Sequence, residues 1–394
     1  MKKVSRLILT VMALTALIAS SCTVSKEKKA ANAMAEIMER SKAVGLAVAV
    51  VKDGEIIYSN SFGFKNLEEG VALGEGDIFR IASISKSFTT TALMTLVEQG
   101  ALGLDNDVSS LVGFSVRNPL FPQDTITLRM LLSHTSSIND TQGYFKLDVL
   151  NPLTNPEYAK CYNNYAPGSK YEYCNLGFNT VGAIVERFSG VRFDNYIRKT
   201  ITEPMGLTAN FNPDSLNRES FVTLYSFEPE DTTKESKYIT VAQPAAYVSR
   251  SSQIDSGYVM GYSTPLFSPT GGMKISAHNL ARYMQMHMNY GSDPVTGVTI
   301  ISKESAKAMQ EPVADMGEGN SYCLALRKAV NLIPGEVMTG HTGSAYGLYS
   351  AMFFEPEKRF GFVMITNGYK PEYKDGFTVI QGDVIRELYN IFIK

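Results

Sequence analysis

Phe79-Arg80-Ile81-Ala82-Ser83-Ile84-Ser85-Lys86-Ser87-Phe88 is the stretch where a short apolar run gives way to a helical pattern. If the helix opens at Ser83, then Ser83 and Lys86 lie at i and i+3 on one face, near enough for the amine to touch the hydroxyl. A serine hydroxyl is a weak nucleophile at neutral pH, and a lysine can serve as its base only where desolvation or a neighbouring cation lowers its pKa. A helix N-terminus adds backbone N–H groups suited to an oxyanion. Serine is also a favoured N-cap, so the motif alone supports a structural role as well as a nucleophile. A second Ser-x-x-Lys, Ser25-Lys26-Glu27-Lys28, falls in a polar, lysine-rich stretch and reads as solvated tether. Beyond Ser83, Phe88, Ala92, Leu93, Leu96 and Val97 recur at helical spacing before Gly100, which predicts a buried amphipathic helix.

The chain has 394 residues, enough for about two domains or one large one. With 44% apolar and 19% charged residues and a net charge of -2, it has an ordinary globular composition, and no nucleic-acid partner is indicated. Residues 1–22 read as a targeting segment: Lys2, Lys3 and Arg6 precede the apolar run Leu7 to Ala19, and Ala19-Ser20-Ser21 leads into Cys22. This arrangement resembles a bacterial lipoprotein signal with Cys22 as the lipidated residue, which predicts an exported protein anchored to a membrane through lipid, with 23–30 as tether. Ordinary signal cleavage is the alternative. Cys161, Cys174 and Cys323 leave a disulfide open, with Cys161 and Cys174 nearest in sequence. There is no C-x-x-C and no H-E-x-x-H, and His134, His278, His287 and His341 lack metal-ligand spacing, so neither metal nor cofactor is expected.

In chain order, Ala31 to Ala43 predicts a helix. Val44 to Val51 predicts a buried strand, Lys52-Asp53-Gly54 a tight turn, and Glu55 to Asn60 its return strand. After Ile81 the texture is helical with long loops. The segment Phe211 to Thr270 lacks periodicity and predicts irregular structure around a cleft. Ser276 to Tyr290 is helical in pattern. Ser321 to Val330, Val337 to Glu355 and Phe360 to Thr366 read as strands, and Phe377 to Ile393 as an amphipathic helix. The expected fold is α/β in the α+β sense: an antiparallel sheet flanked by helices and built from both termini (31–88 and 270–394), with a mostly helical domain inserted at 89–269.

Two more motifs follow Ser83 and Lys86. Tyr173-Cys174-Asn175 precedes the helical pattern Phe178 to Phe188; a phenol can shuttle protons, and an amide can orient a lysine and bind a carbonyl. His341-Thr342-Gly343-Ser344 lies in a late strand, where the glycine would let substrate backbone approach and the next N–H could face an oxyanion. Taken singly, Tyr-x-Asn also occurs at Tyr58 and Tyr162, and His341 alone reads more as a structural histidine than as a binding group.

Together these residues resemble the serine beta-lactamase and penicillin-binding-protein superfamily, in the branch of class C beta-lactamases, D-alanyl-D-alanine carboxypeptidases, D-aminopeptidases and related esterases. The likeness also includes Leu96-Val97-Glu98-Gln99-Gly100, Ile126 through Ser136, and Pro269-Thr270-Gly271-Gly272. It implies Ser83 as nucleophile, with Lys86 and Tyr173 sharing its proton and either of them as the base. It further implies Asn175 holding Lys86 and an acyl-side carbonyl, the N–H groups of Ser83 and Ser344 as oxyanion hole, and His341 and Thr342 at the substrate carboxylate. The implied activity is acyl-enzyme hydrolysis of a small molecule or peptide, a D-peptidase or carboxypeptidase first, with a beta-lactamase or esterase as the alternative. A penicillin-binding or peptidoglycan-sensing lipoprotein with little turnover is the alternative of another class. This chain departs from the pattern in three places. His341 replaces the lysine of class C lactamases, and Ser137 and Cys174 stand where many relatives have glycine and serine, which predicts sensitivity to thiol reagents at Cys174.

Overall fold

The computed structural model describes residues 26–230, 236–245, 247–254 and 257–394. The expected leader and Cys22 lie outside the described residues. Helix α1 covers 26–41, so 26–30, read above as tether, are already helical. Ala30, Met34 and Ile37 fall at helical spacing and are buried against the sheet.

Strands β1 (Gly45–Lys52) and β2 (Glu55–Asn66) form the expected hairpin, turning at Asp53-Gly54 with φ 53° and 83°. A short strand β3 (Val71–Ala72) edges β2. Helix α2 (Ser85–Glu98) is buried on all faces from Ser85 to Leu96, in place of the expected amphipathic helix, because helices cover the side turned away from the sheet. Helix α3 (Asn175–Ser189) packs on α2 and begins three residues earlier than its periodicity predicts. In the segment expected to be irregular, β4 (Thr223–Glu228) pairs antiparallel with β5 (Lys237–Ala245). Helix α4 (Ala277–Met288) has Ser276 as N-cap, accepting from the Asn279 N–H at 3.2 Å.

The last third of the chain supplies β6 (Ala314–Gly317), β7 (Asn320–Tyr322), β8 (Arg327–Ala329), β9 (Met338–Ala345), β10 (Leu348–Glu355) and β11 (Phe360–Thr366). Helix α5 (Val379–Leu388) follows. The nine-stranded antiparallel sheet has the order β3-β2-β1-β11-β10-β9-β8-β7-β6, so the first and last long strands meet, with Val48 opposite Met364 and Val50 opposite Phe362. The run expected from Val337 to Glu355 is two strands folded at Tyr346-Gly347, φ 54° and 82°. A side chain at Gly347 would meet the Tyr225 carbonyl oxygen at 1.8 Å.

Both sheet faces are covered, which explains why β1 is apolar at every position from Gly45 to Val51. Leu46, Val48 and Val50 face α1 and α5, while Ala47, Ala49 and Val51 join a core shared with α2, α3 and α4. Among the described residues no helix is long and apolar enough to cross a membrane.

Candidate active site

Ser83 lies in a 3-10 turn, Ala82–Ile84, that runs directly into α2. Neither element has a side-chain cap bond at its start, so the Ser83 hydroxyl does not serve as an N-cap. Ala82 enters the turn at φ 48°, and the turn is clamped from both sides: Ser350 Oγ donates to the Ile81 carbonyl at 3.0 Å, and the Met273 N–H donates to Ser85 Oγ at 3.0 Å.

Lys86 is fully buried, with Nζ 3.2 Å from Ser83 Oγ, 2.9 Å from Asn175 Oδ1 and 3.0 Å from the Thr270 carbonyl oxygen. Burial lowers its pKa to about 7, against the opposing pull of Asp140 and then Cys174. A neutral amine has two hydrogens and one lone pair. The Asn175 and Thr270 oxygens can only accept, so they take the hydrogens and direct the lone pair at the Ser83 hydroxyl. The amide orientation is fixed because Asn175 Nδ2 donates to Asp140 Oδ2 at 2.9 Å.

Tyr173 has its ring at 4.7 Å from Lys86 Nζ, and its hydroxyl is hydrogen-bonded to Ser83. The residue is 37% exposed and lines the cleft. Burial pushes the phenol well above its ordinary value, only partly offset by Ser83, so it stays protonated at neutral pH. Tyr171, Asp140 and Cys174 add to the rise.

His341 is buried, and both ring nitrogens are engaged within the protein: Nδ1 with the Thr342 carbonyl at 2.5 Å and Nε2 with Tyr322 Oη at 2.9 Å. The carbonyl can only accept, so Nδ1 carries the proton and Nε2 accepts from the phenol. Burial and then Lys86 lower its pKa to about 3. This histidine is a neutral strand-positioning group with no N–H left for a substrate carboxylate. Gly343 also departs from expectation, since a side chain there would meet the Ile81 carbonyl at 2.2 Å and Ser350 Oγ at 2.4 Å. Its missing side chain makes room for the Ser83 turn.

Ser83, Tyr173 and Ser344 line both of two adjoining cavities. One, of about 410 Å³, includes Asn175, Thr270, Tyr144 and Tyr346; the other, of about 290 Å³, includes Tyr171, Arg327, His341 and Thr342. The three motifs, separated by up to 261 positions between Ser83 and Ser344 in the chain, therefore converge on one cleft. A family model described as Beta-lactamase matches residues 30–381.

The chain belongs to the beta-lactamase family. This is a family of serine hydrolases, and penicillin-binding proteins are among the relatives of the chain. The chain is 27% identical over 340 residues to penicillin-binding protein 4 of Amycolatopsis lactamdurans, covering 82% of this chain and 81% of that one. It is 26% identical over 214 residues to penicillin-binding protein 4* of Bacillus subtilis, 49% of this chain and 46% of that protein. The chain thus spans about half the length of that relative, and 61% of protein flp of Staphylococcus aureus. Among solved structures, an octameric penicillin-binding protein homologue from Pyrococcus abyssi superposes with TM-score 0.70 at 26% identity, over 92% of this chain and 76% of that one. EstCE1, a hydrolase with promiscuous acyltransferase activity, shares the fold with TM-score 0.70 at 20% identity, over 96% and 100%.

Within this beta-lactamase-family cleft, two residues escaped the sequence reading. Asp140 accepts from the N–H groups of Asn175 and Leu176, both at 2.9 Å, as well as from Asn175 Nδ2 and, at 3.2 Å, the Cys174 thiol. It tethers the first turn of α3 and supplies the negative charge next to Lys86. Its loop lies 35 positions from Asn175 and carries no periodic signal. His134, at φ 58°, accepts from the Cys174 N–H through Nδ1 at 3.1 Å and packs its ring, tilted, 4.2 Å from the Tyr173 ring, holding the tyrosine segment in place. It falls in a stretch that carried the family likeness but no assigned role.

The two departures at Ser137 and Cys174 also have structural accounts. Ser137 sits at φ 61°, a left-handed position that suits the glycine of relatives, and its Oγ accepts from Asn118 Nδ2. Cys161, Cys174 and Cys323 are free and buried. The expected reactivity of Cys174 is not supported: burial and then Asp140 push its thiol well above the ordinary range, and the thiolate is the reactive form.

Proposed function

We propose that the protein is an exported serine hydrolase that acts through an acyl-enzyme on amide or ester bonds, with D-amino-acid peptides as its leading substrate class. The observation that carries this reading is the Lys86 amine, whose pKa is near 7 and whose lone pair faces the Ser83 hydroxyl. Ser83 Oγ attacks the carbonyl carbon as its proton passes to Lys86. The tetrahedral oxyanion lies at the N–H groups of Ser83 and Ser344. On collapse the bond to the leaving nitrogen or oxygen breaks, and the protonated Tyr173 hydroxyl relays the lysine's proton to it. Water then attacks the ester with Lys86 again accepting a proton; the acyl bond to Ser83 Oγ breaks, the acid leaves, and the lysine returns that proton to the serine oxygen. Asn175 holds the amine in line and has one further Nδ2 hydrogen for an acyl-side carbonyl. On the leaving-group side Thr342 remains a polar contact, and the cation lining that cavity is Arg327, not His341.

A fluorophosphonate probe should label the wild-type protein and fail to label Ser83→Ala; equal labelling of both places the nucleophile elsewhere. Burst kinetics with D-Ala-D-Ala peptides, nitrocefin and short acyl esters then separate the substrate classes. A stoichiometric burst without steady turnover would favour the sensing reading. For the lipid anchor proposed at Cys22, palmitate incorporation should be lost in Cys22→Ser.

A further inference from the structure

Arg80, Arg250 and Lys274 line one small cavity together with Ser268, Phe267 and Tyr346. The cavity holds about 30 Å³, room for roughly two waters or the head of a carboxylate. Lys274 is 7% exposed and reaches it from beneath, with Nζ donating to the Phe211 carbonyl at 2.6 Å. Arg80 is paired with Lys274 across two short strands, and its Nε donates to the Gly271 carbonyl at 2.7 Å. Arg250 donates from Nη1 to the Leu266 carbonyl at 2.9 Å. Among the described residues, none of the three has a carboxylate within ion-pair distance. Burial, then Arg80 and Arg250, push the Lys274 amine well below its ordinary range, with Asp194 and Asp214 opposing from farther away.

Three basic groups held together without a counter-charge disfavour one another's charged forms, and a buried charge left unpaired is costly. An anion in the cavity removes both penalties. The position is as informative as the charge. Arg80, Ser268 and Tyr346 also line the Asn175 half of the Ser83 cleft, and Arg80 stands three residues before the nucleophile with its guanidinium 5.0 Å from the Tyr346 ring.

We infer that this cavity is a carboxylate subsite for the acyl part of the substrate, so that the preferred acyl donors carry a terminal carboxylate beyond the scissile carbonyl. The inference rests on Ser83 being the nucleophile, and its test separates the two.

The test compares p-nitrophenyl hemiesters of glutaric, adipic and suberic acids with their methyl-capped neutral counterparts, at constant ionic strength. At least one hemiester should be favoured in kcat/KM by about 10- to 100-fold, the range of one or two charge-assisted hydrogen bonds. Lys274→Met and Arg250→Gln should each reduce that preference to within about 3-fold while leaving hydrolysis of the neutral esters unchanged. Neutral esters turned over with no hemiester preferred, or a preference that survives both substitutions, overturns the subsite and leaves the hydrolase reading intact. Absence of any turnover and of Ser83-dependent labelling removes the hydrolase reading instead. In that case the cavity is tested by binding: glutarate should raise the Tm of the wild-type protein and not of Lys274→Met, and no rise in the wild type overturns the anion site.

Discussion

Lys86 loses its charge near pH 7 because burial disfavours the ammonium more than Asp140 favours it. Only the neutral amine can accept the Ser83 proton, so kcat/KM on a neutral ester should rise through about pH 7 and level off above it. In Asp140→Asn the favourable charge is gone, and the rising limb should move to lower pH; an unmoved limb would assign it to another group. His341, already neutral above about 3, cannot supply that limb. The same burial affects stability. Between about 7 and 10.5 the unfolded chain holds a proton on Lys86 that the folded chain does not, so this residue makes stability rise with pH across that window. Comparing wild type with Lys86→Met in urea at pH 7 and pH 10, the difference should change by roughly 3–5 kcal/mol in the wild type's favour at high pH. Turnover should fall by orders of magnitude in Lys86→Met at both.

At the level of elements, Ser83 is placed by the contact between the turn before α2 and strand β9. The Gly343 Cα lies against the Ile81 carbonyl, and Ser350 Oγ donates to the same oxygen. Gly343→Ala should therefore push the strand and the Ser83 turn apart, lowering stability by about 1–3 kcal/mol in chemical denaturation. It should also reduce kcat at least 10-fold, because a displacement of about 1 Å near the reacting atoms costs on the order of 100-fold. The first turn of α3 depends on Asp140 in a similar way. Asp140→Ala leaves the N–H groups of Asn175 and Leu176 without their acceptor, and should cost about 2–4 kcal/mol. A denaturation midpoint equal to wild type would show that water replaces the carboxylate at no cost.

For the whole molecule, the pairing of β1 with β11 joins the two ends of the chain, and α1 and α5 together cover the sheet face behind it. Truncation after Thr378 would remove Ile380, Val384, Ile385, Leu388, Ile391 and Phe392 and uncover the sheet residues beneath them. At about 1.5–3 kcal/mol for each buried apolar side chain, the loss of about 10 kcal/mol matches or exceeds the net stability of most domains. The truncated chain should be recovered unfolded or aggregated, and a soluble product with native circular dichroism would refute this account of the core.

Much of this architecture follows from local pattern alone. The apolar run of β1, the Asp53-Gly54 turn and the helical spacing after Ser83 each follow from side-chain chemistry over a few neighbouring residues. The ordered motifs around Ser83, Tyr173 and His341 likewise show which residues share a cleft. What the chain could not announce depends on partners distant in sequence. Gly343 accommodates a turn that lies some 260 positions earlier, and His341 has its nitrogens occupied by Tyr322 and a backbone oxygen. Complete desolvation brings the Lys86 amine down to about 7, and the same effect keeps Tyr173 a protonated phenol. Residue type and spacing determine which groups are available; burial and hydrogen-bond partners, which exist only once the chain is folded, decide their charge and hence what each can do.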